Sequence, residues 1–331
     1  SMRDKRWQHR DCHCRTSHEA AMTLRWDLLG IGAVAVDDLI YLDGFPTPEA
    51  KMYITEETRQ GGGLAGTALV AAARLGARTA YTGVLGNDGL SRYTIAELEA
   101  EGVDCSHVRL AASARPYHCT ILVNQRLGER TILVSKSGVT PPDAEDLSPA
   151  LIGAARMLFI DSTVILPGLR ASEVANNLGI PVIADLERVG EGLPELISRI
   201  DHLIVGTRFA EQVVGAAHPA EMARRLSRQG QTACIVTAGE EGCWYILGND
   251  GRVHHQPAYR VPVVDTTGCG DVFHGAYAAA LARGCSIPRA MEVATVAAGL
   301  KATQAGGRRG IPDWATVQHH LKTIRSTSHE S

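Results

Sequence analysis

The segment Val263–Gly284 reads VVDTTGCGDVFHGAYAAALARG and decides the fold class of this chain. A predicted strand, Tyr259–Val264, leads into a glycine-containing turn, and an alanine-rich helix follows. Glycine lets the backbone approach a ligand closely, and the first turn of a helix offers free N–H groups and the positive end of the dipole to an anion. Asp271 lies in that turn, where a carboxylate beside a bound phosphate is placed to take a proton from an attacking hydroxyl.

A short GxGD pattern by itself is also typical of an ordinary helix start, in which Asp271 would be only a first-turn capping residue. The longer string DTTGCGDVFHG, residues 265–275, is far more specific. It places a strand end, a glycine turn and a carboxylate at a single junction. The sequence therefore predicts a phosphate-binding turn with a base beside it.

Outward from this segment, short apolar runs alternate with stretches of helical periodicity. The strand-like runs are Leu28–Val36, Thr79–Val84, Met157–Ile160, Ile180–Ala184, His202–Val205 and Ala233–Val236. Ala65–Leu75 and Ser91–Glu101 have helical spacing, and each is followed by a glycine that suits a helix end. Such alternation predicts an α/β fold with a doubly wound parallel sheet.

Two segments depart from this alternation and are predicted to be strand pairs. They are Ile40–Glu57 and Tyr117–Ser135. Within the second, His118–Val123 and Arg130–Val134 flank a polar turn and form a plausible hairpin. Strands outside the main sheet would build a small second layer, which we interpret as a flap over the active-site edge.

Composition excludes several classes of protein. The chain has 331 residues, of which 45% are hydrophobic and 5% aromatic, and its 33 Lys+Arg and 36 Asp+Glu give a net charge of −3. This content is too apolar for a disordered chain and too nearly neutral for a general binder of nucleic acid or membrane surfaces. No apolar run approaches the ~18 residues that a transmembrane helix needs.

The cysteines and the ends of the chain bear on its compartment and boundaries. The eight cysteines form no CxxC pair and no zinc-type spacing, so we expect reduced thiols and a cytoplasmic protein. Residues 1–24 show no apolar periodicity and are predicted to be a disordered extension that starts with a tag-cleavage scar. Residues 25–325 are predicted to form the folded domain.

The string DTTGCGDVFHG resembles the second signature of PfkB-type (ribokinase-like) carbohydrate kinases, usually written DTTGAGD, with Cys269 in place of alanine. Gly62-Gly63, a helix ending in RLGA and then YTGVLGNDGLS resemble the first signature. The resemblance spans about residues 27–321. The glycine-rich string at residues 61–68, HQPAY and KATQAGGRRGIPD are most similar to the ketohexokinase and sulfofructose kinase branch.

This resemblance implies a ribokinase-like three-layer α/β/α fold with a mainly parallel central sheet. A small β-lid would come from about residues 38–60 and 115–136. The implied activity is transfer of the γ-phosphate of ATP, with Mg²⁺, to a hydroxyl of a small ketohexose-like or sugar-acid-like substrate. The expected partners are the sugar, ATP and a second copy of the chain bound through the lid, but neither nucleic acid nor a membrane.

Roles for single residues follow from the same resemblance. Asp271 matches the catalytic base, and the anion hole matches Gly268, Cys269 and Gly270. The implied sugar-binding residues are Asp37 at the end of the first strand, Lys51, Gly62, Gly63 and Asp161. The implied nucleotide loop contains Thr237, Gly239 and Gly242. Asp265 and Thr267 match a monovalent-cation site for K⁺, completed by carbonyl groups of residues 302–310. Lys51 and Asp161 have a simpler alternative interpretation as solvated loop charges.

Three departures from the family pattern bear on the substrate and the metal. Leu64 and Gly66 stand where ribokinase has Lys and Asn, which argues against ribose bound in that pose. Residues 206–209 read GTRF where many relatives have NxxE, so phosphates and water would hold most of the Mg²⁺. Thr163 stands where a sulfofructose kinase is expected to have Arg, so a sulfonate would lose a bidentate partner.

Two other functions stay open at this point. A nucleoside kinase of the same superfamily would need an aromatic platform for the base, for which Tyr53 and Tyr117 are candidates. A non-catalytic sensor of sugar or nucleotide would explain the missing NxxE pattern. The complete GCGD turn favours an enzyme over a sensor.

Overall fold

The computed structural model of the chain describes residues 24–127, 129–248 and 250–327. Residues 1–23 of the predicted extension lie outside these ranges. The strands are β1 Leu28–Ile31, β2 Ala35–Leu42, β3 Glu56–Gly62, β4 Thr79–Tyr81, β5 Val84–Leu85, β6 Val103–Asp104, β7 Arg109–Leu110, β8 Tyr117–Asn124, β9 Glu129–Ser135, β10 Leu158–Asp161, β11 Val182–Asp185, β12 His202–Gly206, β13 Ala233–Thr237, β14 Cys243–Leu247 and β15 Val253–Gln256. The helices are α1 Leu64–Arg74, α2 Gly89–Ala100, α3 Pro149–Gly153, α4 Ile165–Asn177, α5 Leu193–Arg199, α6 Thr207–Val214, α7 Pro219–Leu226, α8 Cys269–Ala282, α9 Ile287–Ala302 and α10 Trp314–Thr327.

The central sheet has the strand order β15-β14-β13-β12-β11-β10-β1-β4-β6. Every pairing from β13 through β6 is parallel, and β14 and β15 add an antiparallel edge. All four residues of β1, β10 and β11 are buried, as expected for parallel strands covered on both faces. The predicted mainly parallel sheet is confirmed.

Two apolar cores, one on each face of the sheet, make the three-layer α/β/α architecture. On one face Leu69 of α1, Tyr277 of α8 and Met291 of α9 are buried against the strands. On the other, Ala171 of α4 and Met222 of α7 belong to the second core. Successive side chains of a strand point alternately into the two cores, so helices pack against both faces of the sheet.

The direction in which the chain adds strands reverses at β1. The chain first builds outward from β1 to β4 and β6, and then returns to β10 on the opposite side of β1 and continues to β13. The loops after β1 and β10 therefore leave the sheet in opposite directions and open a crevice at the carboxyl ends of these strands. Ligands of open α/β sheets bind at such a point.

A separate four-stranded sheet in the order β3-β2-β8-β9 contains the strands predicted for the lid, and we call it the lid sheet. The β8–β9 hairpin is confirmed, with His118 opposite Ser135 and Asn124 opposite Glu129. The first strand pair differs in detail from the prediction. β2 begins at Ala35, before the expected boundary, and residues 43–55 form a loop without strands, since Pro46 and Pro48 cannot donate to a ladder.

The apolar run Leu28–Val36 is not one strand, as the sequence suggested. The central strand ends at Ile31, and the lid strand β2 begins at Ala35. Between them Gly32 has φ +150°, and a Cβ there would lie 2.1 Å from Oδ2 of Asp161. The chain therefore passes from the sheet to the lid at a position where only glycine fits.

The prediction of a strand at Tyr259–Val264 was wrong. The nearest strand is β15, which ends at Gln256, and the residues after it have no ladder partners within the described chain. Pro257 and Pro262 lack N–H groups, and the N–H of Val264 donates instead to the carbonyl of Ala302 at 2.8 Å. The segment is thus fixed against the end of α9 and not in the sheet.

Within the described ranges, no helix combines the length and apolar character that crossing a membrane requires. The cysteines there are all free thiols: Cys105, Cys119, Cys234, Cys243, Cys269 and Cys285. Cys12 and Cys14 lie outside the described residues.

Candidate active site

The predicted phosphate-binding turn lies at the start of α8. Gly268 caps the helix with φ +74°, and a Cβ at this position would lie 2.8 Å from the carbonyl oxygen of Gly307. Glycine is therefore required both by the backbone conformation and by the close approach of the loop after α9. Cys269 and Gly270 begin the helix and bring its orphan N–H groups and dipole to this turn.

Asp271 lies in the first turn of α8 and is half-buried. Loss of solvent raises the pKa of its carboxyl well above the ordinary 3.8, and the negative charges of Asp185 and Glu187 raise it further. The guanidinium of Arg308 opposes these effects in part. A carboxylate whose pKa moves toward neutrality is better suited to accept a proton from a hydroxyl.

Asp185 ends β11 and adds to the negative charge at this edge of the sheet. Its Oδ2 is buried without a hydrogen-bond partner in the described part of the chain, and Nδ1 of His274 is 3.4 Å away. Glu187 follows two residues later. A hydrated Mg²⁺ is commonly held by one or two carboxylates together with substrate phosphates, so this pair fits such an ion. Among the described residues, no group of three or more His, Cys, Asp and Glu side chains could hold a metal.

Asp37 belongs to the lid and not to the end of the first central strand, where the sequence placed it. It is the third residue of β2 and is 8% exposed. Burial raises the pKa of its carboxyl, and a hydrogen bond with Cys119 opposes that shift. A Cβ on Gly62 of the neighbouring strand would lie 2.3 Å from Oδ2 of Asp37, so the glycine leaves room for this carboxylate.

Gly63 joins the lid to helix α1. Its φ is +86°, and a Cβ would lie 2.4 Å from the carbonyl oxygen of Ala33. The paired glycines predicted for sugar binding thus permit two close approaches, one to Asp37 and one to the backbone after β1. Both approaches occur next to the crevice where the chain reverses direction.

Asp161 is fully buried and is not the solvated loop charge that the alternative interpretation held. Its Oδ2 accepts from the N–H of Ala33 at 2.7 Å and of Ala65 at 3.1 Å, and its Oδ1 accepts from the N–H and hydroxyl of Thr163. Both oxygens therefore fix backbone after β1 and at the start of α1. A direct contact with the sugar stays a prediction.

Lys51 is exposed in the loop between β2 and β3. The contacts of the described residues do not bring it to Asp37 or Asp271. Its assignment to the sugar site therefore rests on the resemblance alone.

An ion pair between a buried arginine and a partly buried glutamate, which the sequence did not reveal, lies beneath the glycine-rich strand. Arg308 is 4% exposed, and its Nη1 is 2.7 Å from Oε2 of Glu97. Its Nη2 donates to the carbonyl of Gly62 at 2.9 Å, while the N–H of Gly61 donates to Oε1 of Glu97 at 3.1 Å. A Cβ on Gly66 would lie 2.6 Å from Nη2. The signal in the sequence was the excess of glycines at residues 61–66, which makes room for a guanidinium.

The predicted nucleotide loop lies at the same edge, after β13. Thr237 ends that strand and donates to the carbonyl of Val205 at 3.3 Å. Gly239 and Gly242 have φ of +57° and +91°, and a Cβ on Gly242 would lie 2.1 Å from the carbonyl oxygen of Gln256. Beside this loop, a cavity of about 630 Å³ opens at the ends of β11 and β12. It is lined by Glu187, Arg188, Val189, Gly206, Arg208, Phe209 and Gln212.

A second cavity, of about 260 Å³, lies between the ends of β1 and β4 and the lid. Tyr117, Lys136 and Thr163 are among its lining residues, whereas Asp37 and Asp271 are not. Of the two tyrosines considered as platforms for a nucleoside base, Tyr117 therefore lines a cavity and Tyr53 is 87% exposed. The smaller cavity lies at the crevice itself, since Gly32 after β1 and Thr163 after β10 both line it, and the larger cavity lies farther along the sheet, at the ends of β11 and β12.

The residues predicted to hold a monovalent cation form a closed turn. Oδ1 of Asp265 accepts from the N–H and hydroxyl of Thr267 at 2.8 and 2.7 Å, and from Nη1 of Arg130 at 2.7 Å. Oδ2 accepts from the N–H of Gly306 at 2.9 Å. The turn is thus tied both to the lid and to the loop after α9.

Comparison with known proteins places the chain among sugar kinases. Ribokinase from Staphylococcus aureus is 25% identical over 293 residues, which cover 85% of this chain and 95% of the relative. Ketohexokinase from Mus musculus is 28% identical over 291 residues, covering 83% and 95%. These identities do not separate the ribokinase and ketohexokinase branches, so membership of the latter stays a prediction.

Solved structures agree with the sequence relatives. A ribokinase candidate from Agrobacterium tumefaciens is 30% identical, superposes with a TM-score of 0.82, and covers 91% of this chain and 99% of its own. Another, from Escherichia coli in complex with ATP and Mg²⁺, shares the fold with a TM-score of 0.77 at 18% identity, covering 90% and 99%. The predicted ribokinase-like fold is confirmed.

The model of the pfkB family carbohydrate kinases matches residues 27–314. Kinases of this family are ATP-dependent phosphotransferases that work with Mg²⁺ and act on sugars. Since the match runs from the first central strand into α10, the chain belongs to the pfkB family of carbohydrate kinases.

Proposed function

We propose that this sugar kinase phosphorylates a hydroxyl of a small ketohexose or sugar acid, with Asp271 as the catalytic base. The observation that carries the proposal is the position of Asp271, in the first turn of α8 directly after the GCG turn, with a pKa raised by burial. Base and anion site come from one helix start, so they are fixed relative to each other. A fixed pair of this kind suits transfer of a phosphoryl group.

The reaction follows from this arrangement. Asp271 takes the proton of the acceptor hydroxyl as its oxygen attacks the γ-phosphorus in line. The bond from that phosphorus to the bridging oxygen breaks, and its electron pair leaves on ADP. N–H groups and the dipole at the start of α8 stabilise the charge that spreads over the transferring phosphoryl oxygens.

Asp185 and Glu187 would hold the magnesium ion with its waters on the nucleotide side. When bound, Mg²⁺ would neutralise part of the negative charge of the ATP phosphates. The two carboxylates take over a function that the missing NxxE pattern leaves open, because they lie at the end of β11, next to the cavity lined by Arg188 and Arg208. Those two guanidinium groups favour phosphate oxygens there.

The lid and the smaller cavity bear on the sugar. Asp37 can accept hydrogen bonds from two hydroxyls, which suits a polyol. Leu64 and Gly66 offer no polar side chain, and this favours a sugar other than ribose in the ribokinase pose. Lys136 and Arg115, which also pairs with Asp88 at 2.6 Å, line the 260 Å³ cavity, so an acidic group on the sugar would meet the positive charge of Lys136 there.

The test is an ADP-release assay with ketohexoses, sugar acids, sulfofructose, ribose and nucleosides as acceptors. We expect the highest kcat/KM for a ketohexose or a sugar acid. A preference for adenosine or inosine would establish a nucleoside kinase instead. Tight ATP binding without ADP release for any acceptor would establish a sensor.

We also propose that two copies associate through their lids. β9 is an edge strand of the lid sheet, and Ile132, Leu133 and Val134 are 46%, 54% and 48% exposed. Exposed apolar residues on an unpaired strand edge are typical of a surface that another chain covers. In a two-fold dimer this edge would meet its own copy in antiparallel orientation.

A further inference from the structure

The oxygen atoms that a monovalent cation would need are already engaged. K⁺ is held by a shell of oxygens that replaces its water, commonly backbone carbonyls. Both carboxylate oxygens of Asp265 accept from other groups, and one of these donors is the guanidinium of Arg130. The carbonyl of Ala302, predicted to complete the site, accepts from the N–H groups of Val264 and Asp265 at 2.8 and 3.1 Å.

The backbone carbonyl oxygen of Asp265, a third possible ligand of the cation, accepts a hydrogen bond from a lysine side chain. Lys301, in the last turn of α9, is 0% exposed, and its Nζ donates to the carbonyl oxygen of Asp265 at 2.8 Å. Burial lowers the pKa of this ammonium group, and the nearby negative charge of Asp265 opposes the shift. A buried lysine head group thus binds the backbone at the head of the DTTGCGD turn. A K⁺ at the same carbonyl would be repelled by both Lys301 and Arg130.

We propose that the ammonium group of Lys301 takes the place of a monovalent cation beside the phosphate-binding turn, so that this kinase works without K⁺. The side chain orients the peptide group of Asp265 and puts a fixed positive charge behind the anion site. Lys301 is a positioning residue, since it reaches the turn through Asp265 and not through the substrate. The loop after α9 is held against the same turn, with Gly307 close to Gly268.

The inference rests on the proposed phosphoryl transfer and is tested first on the unchanged enzyme. ADP release is measured in potassium chloride and in choline chloride at equal ionic strength, with the melting temperature recorded in both salts. We expect the rates in the two salts to agree within about twofold and the melting temperatures to be equal, since K⁺ has no site through which it could stabilise the folded protein. Activation by K⁺ of more than about fivefold, or a clearly raised melting temperature in K⁺, would overturn the inference.

The variant Lys301→Met removes the charge while keeping an apolar stem of similar length. In choline we expect its kcat/KM for ATP to fall at least about tenfold and to recover in K⁺ or NH₄⁺, together with a melting temperature that now rises in K⁺. Lys322→Met, an exposed lysine of α10, is the matched control and should respond to neither salt. A folded Lys301→Met enzyme that is indifferent to K⁺ in both measurements would overturn the inference.

The two kinds of failure are distinguishable. If the chain is not a kinase, no acceptor releases ADP from any of these proteins, and if it is a nucleoside kinase, ADP is released with nucleosides instead. In both cases the melting temperatures still decide the cation question. Should Lys301→Met not fold in either salt, the comparison of salts on the unchanged enzyme decides alone. K⁺ independence then supports the internal cation, and K⁺ activation refutes it.

Discussion

The guanidinium of Arg308 lies 2.7 Å from the carboxylate of Glu97, inside the fold and directly beneath the lid. Both partners also bind the glycine-rich strand β3, Arg308 through the carbonyl of Gly62 and Glu97 through the N–H of Gly61. The pair therefore anchors the lid strand to α2 and to the loop after α9. It also brings a positive charge close enough to oppose the raised pKa of Asp37 and of Asp271.

Arg308→Met should be strongly destabilising, because it leaves Glu97 without its buried partner. We expect the free energy of unfolding in urea to fall by about 3–5 kcal/mol. Arg225→Met is the matched control. It breaks an exposed ion pair with Glu221 on α7 and should cost less than about 1 kcal/mol. Similar losses in the two variants would contradict the role given to the buried pair.

Gly62→Ala should impair sugar binding specifically. The new Cβ would lie 2.3 Å from Oδ2 of Asp37, so the carboxylate has to move away from its position in the lid. We expect the KM for the sugar to rise by about tenfold or more, with a much smaller effect on the KM for ATP. Gly89→Ala, at the start of α2, has no atom within 4 Å of its added Cβ and should leave both constants unchanged. Equal changes in both KM values would argue against a sugar-binding role for Asp37.

Asp271→Asn should abolish most turnover while leaving nucleotide binding nearly intact. Asparagine keeps the shape of the side chain but cannot accept the hydroxyl proton, so we expect kcat to fall by about 10²–10⁴-fold. Calorimetric titration with ATP should give a similar Kd for both proteins. Asp43→Asn, in the exposed loop after β2, controls for the loss of one negative charge. Retained turnover in Asp271→Asn would refute the mechanism.

The rate of phosphorylation should fall on the acid side at a higher pH than an ordinary carboxylate would give. As the proposed base, Asp271 would act only when deprotonated, and burial together with Asp185 raises its pKa above 3.8, so activity should be lost as pH falls through the raised value. The measurement is kcat/KM for the sugar against pH. Because Asp185 is also proposed to hold Mg²⁺, its repelling charge is tested on the free enzyme. An NMR titration of the Asp271 carboxyl without Mg²⁺ or ATP should give a lower pKa in Asp185→Asn than in the unchanged protein. An unchanged pKa would show that the charge of Asp185 does not act on Asp271.

Leu133→Asp should dissociate the proposed dimer without unfolding the chain, because the side chain is 54% exposed on the edge strand β9. Light scattering after size exclusion should give the mass of two chains for the unchanged protein and of one for the variant. Leu178→Asp, at the exposed end of α4 and outside the lid sheet, should not change the mass. A monomeric unchanged protein would refute lid-mediated association.

The parallel sheet, the β8–β9 hairpin and the glycine turn at the start of α8 could all be predicted because each depends on local chemistry. Buried parallel strands are short apolar runs, and a turn that binds phosphate needs glycine next to a helix start. Tyr259–Val264 has the same apolar character as a strand, but the prediction of a strand there was wrong. The N–H of Val264 bonds to Ala302 at the end of α9, and no local pattern reveals a partner about 40 residues away.

Asp161 and Asp37 show where sequence patterns stop being informative. The backbone donors that bury Asp161 belong to Ala33 and Ala65, 128 and 96 positions away in the chain. Asp37 follows an apolar run that suggested one strand, yet Gly32 divides that run between the central sheet and the lid. Whether each carboxylate faces solvent, backbone or ligand depends on those distant neighbours.

The sequence by itself determined the family, the direction of the sheet and the helix start that carries Asp271. Only the tertiary structure decided where the positive charge lies. Arg308 meets Glu97 across 211 positions, and Lys301 meets the carbonyl of Asp265 across 36. Groups so far apart in the chain come into contact only when the chain folds, which is why no count of lysines and arginines could place them.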